Sequence, residues 1–310
     1  MMKSIQYQAG SWLLTLVAAV VSPCSYPQNA HAESPTGLGG YVWLDANGEP
    51  LPFQDHATIR GMMRLAQVLS REKIGRGIAG AEKLVLEYGD VRFPAVFRSV
   101  DVTARKAASQ GIERPRKKYR DAAIFESAAY ELSELLGIGR VPPVVERSID
   151  GQSGTVQIWM EGVRPEVMLI QGNQLQPPDV VRWKQQKQIM HLFDNLIANS
   201  DRNQGNLLID RSWNIWFIDH TRAFKRSSTL IYRDKLSRCE RQLWTSLREI
   251  DEETLRLQLD PYLESQEISK LLTRRRALIR HIQSLIDKSG EDAVLFDLRP
   301  PGTEMAVWAD

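Results

Sequence analysis

Residues 193–224 constrain the fold of this chain most, because three oxygen-bearing side chains are set at intervals around two short apolar runs. The segment reads FDNLIANSDRNQGNLLIDRSWNIWFIDHTRAF. The apolar runs at 207–209 and 215–218 flank a polar turn, which predicts a β-hairpin. Asp201 and Asn206 precede the hairpin and Asp219 follows it. We expect the three side chains to converge on one site.

The chemistry of these three residues indicates phosphoryl transfer. The charge of a polyphosphate has to be neutralised by divalent cations, and Mg²⁺ or Mn²⁺ binds carboxylate and amide oxygens. Asn206 and Asp219 are therefore candidate metal ligands. Asp201 is the candidate catalytic residue, which orients the acceptor hydroxyl and takes its proton. The alternative is structural: Asp201 and Asn206 form a turn that ends a helix, and Asp219 is a strand-end carboxylate.

The order of apolar patterns along the chain predicts an α+β fold with two lobes. A short helix is expected at 57–69, and a longer one follows at 180–198. Strands are expected at 84–86, 93–97, 141–147 and 155–160, with a helix at 121–136, and 233–288 is mostly helical. This gives a flexible leader at 33–56, a small β-rich lobe at 57–162, a larger helical lobe at 163–300 and a tail at 301–310.

A glycine-rich turn precedes the second expected strand. Gly75, Gly77 and Gly80 have the spacing G-x-G-x-x-G, in which missing side chains let backbone N–H groups approach phosphates. A dinucleotide-binding fold needs a helix directly after this motif, whereas residues 83–87 are typical of a strand. A flexible loop without a ligand is the alternative interpretation.

Several motifs in the chain resemble those of kinases. Asp201 and Asn206 have the interval of the catalytic-loop motif H-R-D-x-x-x-x-N, and Asp219 matches the metal-binding Asp of D-F-G. The wider resemblance rests on FESAAYEL at 125–132, LLGI at 135–138, VP at 141–142, NSDRNQGN at 199–206 and IDH at 218–220. Over residues 70–225 the sequence resembles the atypical kinases that include HipA-like kinases, secretory-pathway casein kinases and bacterial phosphatidylinositol 3- and 4-kinase-like proteins.

The resemblance implies a two-lobed protein-kinase-like fold that uses ATP with Mg²⁺ or Mn²⁺. It implies that Arg98, at the end of the third strand, pairs with Glu126 on the next helix and anchors phosphates. It also implies that the glycine turn covers the nucleotide, and that Met160 and Glu161 lie near the adenine. Two residues depart from the family pattern: Arg98 stands where kinases have Lys, and Asn203 stands where the family has D-R-H.

The charge of the chain says little about its acceptor. The formal net charge is +2, which gives no reason to expect nucleic acid or an anionic membrane as partner. A protein, lipid or small-molecule hydroxyl remains open as the acceptor, beside the nucleotide. The basic stretch at 105–120 is expected to be a solvated loop. The alternative function is that of a catalytically silent pseudokinase, which binds nucleotide and acts as an interaction module in the cell envelope.

Residues 1–32 have the pattern of a secretory signal peptide. Lys3 is their only Lys, Arg, Asp or Glu residue, the stretch 12–21 is apolar except for Thr15, and Ala30-His31-Ala32 matches a cleavage site. The apolar run is about half the length that a membrane span needs. We therefore expect an exported protein, periplasmic or extracellular, with no stable membrane span after cleavage. Cys239 is then the single remaining thiol, and no internal disulfide can form.

Overall fold

The computed structural model describes residues 41–74, 80–103, 120–172 and 175–302. The expected signal peptide at 1–32, Gly75, Gly77 and most of the basic stretch at 105–120 lie outside these residues. The first part of the expected leader and the last part of the expected tail lie outside them as well.

The described residues form twelve strands and seven α-helices. The strands are β1 (Gln67–Lys73), β2 (Glu82–Tyr88), β3 (Val91–Arg98), β4 (Asp101–Thr103), β5 (Arg120–Ala122), β6 (Val144–Ile149), β7 (Gln152–Ile158), β8 (Arg164–Pro165), β9 (Leu207–Ile209), β10 (Ile215–Phe217), β11 (Cys239–Glu240) and β12 (Leu295–Phe296). The helices are α1 (His56–Leu65), α2 (Ile124–Leu135), α3 (Val180–Ile197), α4 (Arg241–Glu249), α5 (Glu252–Leu259), α6 (Ser265–Ser289) and α7 (Glu291–Val294). A π-helical segment spans Val167–Gly172, and 3₁₀ turns span Gln204–Asn206 and Arg233–Lys235.

The first half of the described chain builds an antiparallel sheet with the strand order β1-β2-β3-β7-β6. The apolar side chains of β2 and β3 pack on α1, with Leu84, Phe93 and Phe97 fully buried. The same cluster contains Trp43 and Leu51, which lie within the stretch expected to be a leader. This cluster is the core of the smaller lobe. The burial of its apolar surface stabilises the lobe, since such burial is the main favourable term in folding.

The second half is mainly helical, and its core forms around α2, α3 and α6. Phe193 and Leu196 of α3 meet Leu271 and Leu278 of α6 in one buried cluster. The hairpin β9–β10 packs into this cluster through alternate residues on one face, and Trp216 on its other face is buried in the cluster of the smaller lobe. The predicted fold class, an α+β fold with a β-rich and a helical lobe, is confirmed by this arrangement. Within the part of the chain that the structure describes, no helix combines the length and apolarity of a membrane span.

The helix expected at 57–69 is shorter than predicted. It ends at Leu65, and the next residues form strand β1. β1 is an edge strand whose side chains are mostly exposed, so it carries no apolar alternation that could reveal it. Its register with β2 comes from backbone pairing, for example between Lys73 and Glu82.

Candidate active site

The loop after α3 presents the Asp201 carboxylate to solvent. The helix ends at Ile197, and the next residue, Ala198, turns the chain out of the helix with a φ of +51°. Asn199 then stabilises the loop, because its backbone N–H donates to Asp194 O at 2.9 Å and its Oδ1 accepts from the N–H of Asp201 at 3.2 Å. Asn206 closes the loop by donating from Nδ2 to Asp201 O at 3.2 Å. The side chain of Asp201 stays 44% exposed, so it is accessible to an acceptor.

Arg202 joins this loop to the strand that carries Asp219. Its guanidinium is 3% exposed and pairs with the fully buried carboxylate of Asp194 at 3.0 Å. One of its nitrogens donates to the backbone oxygens of both Asn206 and Ile218, each at 2.8 Å. The backbone N–H of Ile218 also donates to Asn206 O at 3.2 Å. The structure therefore brings Asn206 and the residue before Asp219 into direct contact.

Asp219 follows β10 in a strained turn. Its φ is +60°, a left-handed conformation that Asp tolerates better than most residues. The hydroxyl of Thr221 donates to its Oδ1 at 3.4 Å. Burial and the nearby charge of Glu126 raise the pKa of Asp219, and Arg98 opposes this shift. A positive charge close to such a carboxylate would stabilise its charged form.

Glu126 and His220 form a fully buried pair between α2 and the Asp219 turn. The two carboxylate oxygens of Glu126 accept from the backbone N–H of His220 at 3.0 Å and from Nδ1 at 2.9 Å. Burial alone would raise the pKa of Glu126, but hydrogen bonds from His220 and the charge of Arg98 outweigh burial and lower it. The sequence predicted no role in the site for His220 beyond its place in the motif at 218–220.

Arg98 ends β3, as expected, with its Nε 3.9 Å from Glu126 Oε1. This is an ion-pair distance without a close hydrogen bond. The NH1 atom of Arg98 is buried and has no hydrogen-bond partner among the described residues. An unpaired buried guanidinium nitrogen is costly unless it meets an acceptor, and a phosphate oxygen is a suitable acceptor.

Arg222 links Asp201 to the two-stranded antiparallel sheet of β4 and β5. Its Nε donates to Asp121 Oδ2 at 2.9 Å, and its NH1 donates to Asp201 Oδ2 at 3.1 Å. Asp121 lies in β5, and the next residue, Ala122, donates from its N–H to Thr221 O at 2.8 Å. Arg222 therefore fixes the direction of the Asp201 carboxylate. The sequence predicted no role in the site for Arg202, although this residue lies in the motif at 199–206. It predicted none for Arg222 either, whose acceptors Asp121 and Asp201 are 101 and 21 positions away in the chain.

Gly80 and the expected adenine region lie at the ends of the sheet strands. Gly80 is exposed with a φ of +56°, and the loop it belongs to connects β1 with β2. Ile74 closes that loop with a hydrogen bond from its N–H to Ala81 O at 2.9 Å. Met160 is buried, and Glu161 O accepts from the hydroxyl of Tyr41 at 2.6 Å.

The donor set suits a divalent cation that is shared with phosphates. Asp219 offers a half-buried carboxylate, and the amide of Asn206 can offer Oδ1 because its nitrogen already donates to Asp201 O. Across residues 41–302, apart from the gaps at 75–79, 104–119 and 173–174, no three His, Cys, Asp or Glu side chains form a metal cluster. Mg²⁺ commonly takes only one or two protein carboxylates, with phosphates and water as its other ligands.

No protein-family model and no curated protein sequence matches this chain. Among solved structures, the chain is similar to hydra Fam20 with sugar, at a TM-score of 0.58 and 14% sequence identity. The match covers 78% of this chain and 92% of the hydra chain. At this low identity the similarity concerns the fold alone. The chain therefore has an atypical kinase-like fold, as the sequence resemblance implied.

Proposed function

We propose that this protein is an exported, ATP-dependent phosphotransferase that transfers the γ-phosphate to a hydroxyl of a protein, lipid or small molecule. One observation carries the proposal: Arg202 joins the loop of Asp201 and Asn206 to the strand end that bears Asp219. Phosphoryl transfer depends mainly on positioning and charge stabilisation, so a rigid connection between these groups is what the chemistry needs.

In the proposed mechanism Asn206 and Asp219 would hold Mg²⁺ or Mn²⁺. When bound, the cation would neutralise the phosphate charge that develops in the transition state. The guanidinium of Arg98 donates from NH1 to a phosphate oxygen, which gives that buried nitrogen the acceptor it lacks within the described residues. Glu126 keeps Arg98 near the phosphates while His220 holds Glu126 in place.

Asp201 acts on the acceptor. Its exposed carboxylate accepts a hydrogen bond from the incoming hydroxyl. It takes the proton as the hydroxyl oxygen bonds to the γ-phosphorus of ATP and the bond from that phosphorus to the β–γ bridging oxygen breaks, which releases ADP. Arg222 holds one oxygen of that carboxylate, so the other oxygen is available to the hydroxyl. The glycine turn of Gly75, Gly77 and Gly80 covers the phosphates, and the backbone at Met160 and Glu161 contacts the adenine.

The transfer assay tests this proposal. The protein is incubated with γ-labelled ATP and Mg²⁺ or Mn²⁺, with itself, casein, a lipid extract and a metabolite mixture offered as acceptors. We expect labelled product with the unchanged protein and at least a hundredfold less with Asp201→Asn. The control Asp260→Asn removes an exposed carboxylate at the C-terminal end of α5 and should transfer label as the unchanged protein does. Equal labelling by Asp201→Asn contradicts the proposed catalytic role.

The second candidate is a catalytically silent pseudokinase that binds nucleotide. The pairing of Asp201 with Arg222 favours it, because an acceptor hydroxyl has to compete for a carboxylate that is already engaged. Nucleotide binding without labelled product in any acceptor mixture would support this candidate. For export, N-terminal sequencing of the secreted protein should begin after Ala32, and an intact Met1 would contradict it.

A further inference from the structure

The helical lobe contains a cavity of about 190 Å³ that is separate from the candidate active site. It lies between the end of α2, the middle of α3, the strand β10 and the start of α4. The inner wall is apolar and consists of Ile138, Ile189, Ile215, Phe217 and Leu243. Among the described residues that line it, none is a candidate metal ligand, phosphate-binding residue or catalytic residue.

Arg140 lines this apolar cavity, although its side chain is charged and only 4% exposed. Its NH2 donates to Asn214 Oδ1 at 3.0 Å, and its guanidinium lies 5.3 Å from the centre of the Trp216 ring. Within the described part of the chain, Asn214 is the one acceptor that the guanidinium meets. Arg182 donates to the same oxygen of Asn214, so two buried arginines share one amide acceptor.

The charges around Arg140 leave it undercompensated. Burial lowers the pKa of Arg140 to about 10, the charge of Asp210 acts against this, and the charge of Arg182 adds to it. The carboxylate of Asp210 is engaged with Asn214 and with the indole N–H of Trp216, at 2.8 and 2.9 Å. Burial of a charge is costly without a hydrogen-bonded counterion. An anion in the cavity would supply that partner.

We propose that the cavity binds a small amphiphilic monocarboxylate, with its carboxylate on Arg140 and its apolar body against Ile189, Ile215 and Phe217. The size of the cavity sets the size of the ligand, because an apolar cavity of about 150 Å³ holds benzene. A volume of 190 Å³ therefore accommodates a body of about six to eight carbon atoms.

The mouth of the cavity selects against a second negative charge. Asp297 and Gln242 are exposed at the mouth, and Glu240 is half-buried beside them. The carboxylate of Glu240 accepts from the backbone N–H groups of Gln242 and Leu243, at 3.0 and 2.6 Å. The nearest cation to Asp297 is Arg241, whose Nε is 3.7 Å from its carboxylate. The acidic mouth thus disfavours a dicarboxylate, while the buried arginine favours a monocarboxylate over a neutral amphiphile.

Calorimetric titration of the full chain with three eight-carbon probes tests this proposal. We expect saturable binding of octanoate, at least tenfold tighter than binding of 1-octanol or of octanedioate. Arg140→Met keeps an unbranched apolar stem and removes the guanidinium charge, so it should weaken binding of octanoate at least tenfold and leave binding of 1-octanol unchanged. Arg276→Met removes an equal charge from the exposed surface of α6 and should leave both affinities unchanged.

A cavity-filling variant, Ile189→Trp, locates the ligand and should abolish binding of all three probes. Circular dichroism and thermal unfolding establish that each variant is folded. If Arg140→Met does not fold, the comparison of octanoate with 1-octanol in the unchanged protein still decides. Absence of saturable octanoate binding, equal affinity for octanoate and 1-octanol, or unchanged binding in folded Ile189→Trp or Arg140→Met overturns the proposal. None of these results depends on kinase activity.

Discussion

The carboxylate of Glu126 accepts two hydrogen bonds from His220, one from the backbone N–H at 3.0 Å and one from Nδ1 at 2.9 Å. Arg202 donates from NH2 to Nε2 of the same ring, at 3.1 Å. Since a guanidinium only donates, Nε2 is the acceptor and the imidazole is the neutral tautomer with its proton on Nδ1. These hydrogen bonds connect helix α2 to the turn that carries Asp219. The positions of the helix and of the turn are therefore coupled.

Glu126→Gln tests this connection. The glutamine amide turns a donor towards one of the two His220 donors, so we expect a loss of about 1–3 kcal/mol in the free energy of unfolding at pH 7. Urea unfolding measures it. The pKa of Glu126 is lower in the folded protein than its ordinary value of 4.5. The stability that this carboxylate contributes is therefore present above pH 4.5 and is lost as the pH falls through the folded pKa.

The control for this change is Glu134→Gln, an exposed position on the same helix, which should alter stability by less than about 0.5 kcal/mol. The difference between the unchanged protein and Glu126→Gln should shrink below pH 4.5. A difference that grows as the solution is acidified would contradict this account of Glu126.

Asp219→Asn should stabilise the protein in the absence of metal. The pKa of Asp219 is raised above its ordinary value of 3.8, so stability falls as pH rises through the interval between 3.8 and the folded pKa. At pH 7 Asp219 is charged in a site that disfavours the charge. Removal of this charge should add about 1 kcal/mol to the free energy of unfolding, as stabilising substitutions at functional sites commonly do. Urea unfolding in EDTA should show this gain, and the gain should vanish below pH 3.8. A loss of stability at pH 7 would contradict it.

Arg202→Gln should destabilise the protein strongly. It leaves the carboxylate of Asp194, which is fully buried, without its ion-pair partner, and this costs about 3–5 kcal/mol. The matched control is Arg276→Gln, which breaks the exposed pair with Glu252 and should cost at most about 1 kcal/mol. Chemical unfolding of both variants checks the contrast. Equal effects would show that Arg202 does not hold the site together.

Arg98→Met should weaken ATP binding and spare adenosine binding. The substitution removes the buried guanidinium, and a hydrogen bond to a charged group contributes about 1.5–3 kcal/mol, which corresponds to about a tenfold to hundredfold change in affinity. Arg98→Lys retains the positive charge and should lose less of the ATP affinity than Arg98→Met. Calorimetric titration with both ligands measures the ratio. An equal loss for adenosine would mean that Arg98 does not act on the phosphates.

The secondary structure was predictable from the sequence in those segments whose side-chain pattern reflects burial. The hairpin around residues 210–214 and the helix that bears Glu126 follow from apolar spacing and turn residues. Strand β1 could not be predicted, because an exposed edge strand is held by backbone hydrogen bonds that leave no side-chain pattern.

For the candidate site, the sequence indicated Asp201, Asn206 and Asp219 because their residue types and spacing carry the chemistry. It did not indicate the residues that hold them in place. The acceptors of Arg202 are backbone oxygens and a buried carboxylate of α3, and the partner of His220 lies 94 positions away in the chain. Such contacts follow from tertiary packing and have no local signature.

The central claim, that Asp219 and Asn206 hold a divalent cation together with nucleotide, is tested by electron paramagnetic resonance of Mn²⁺. Free Mn²⁺ is titrated against the protein with ATP and without it, and then against Asp219→Asn and the control Asp260→Asn. We predict Mn²⁺ binding that tightens with ATP, persists in Asp260→Asn and falls at least tenfold in Asp219→Asn. Binding of Mn²⁺ with ATP that is equally tight in folded Asp219→Asn would contradict it.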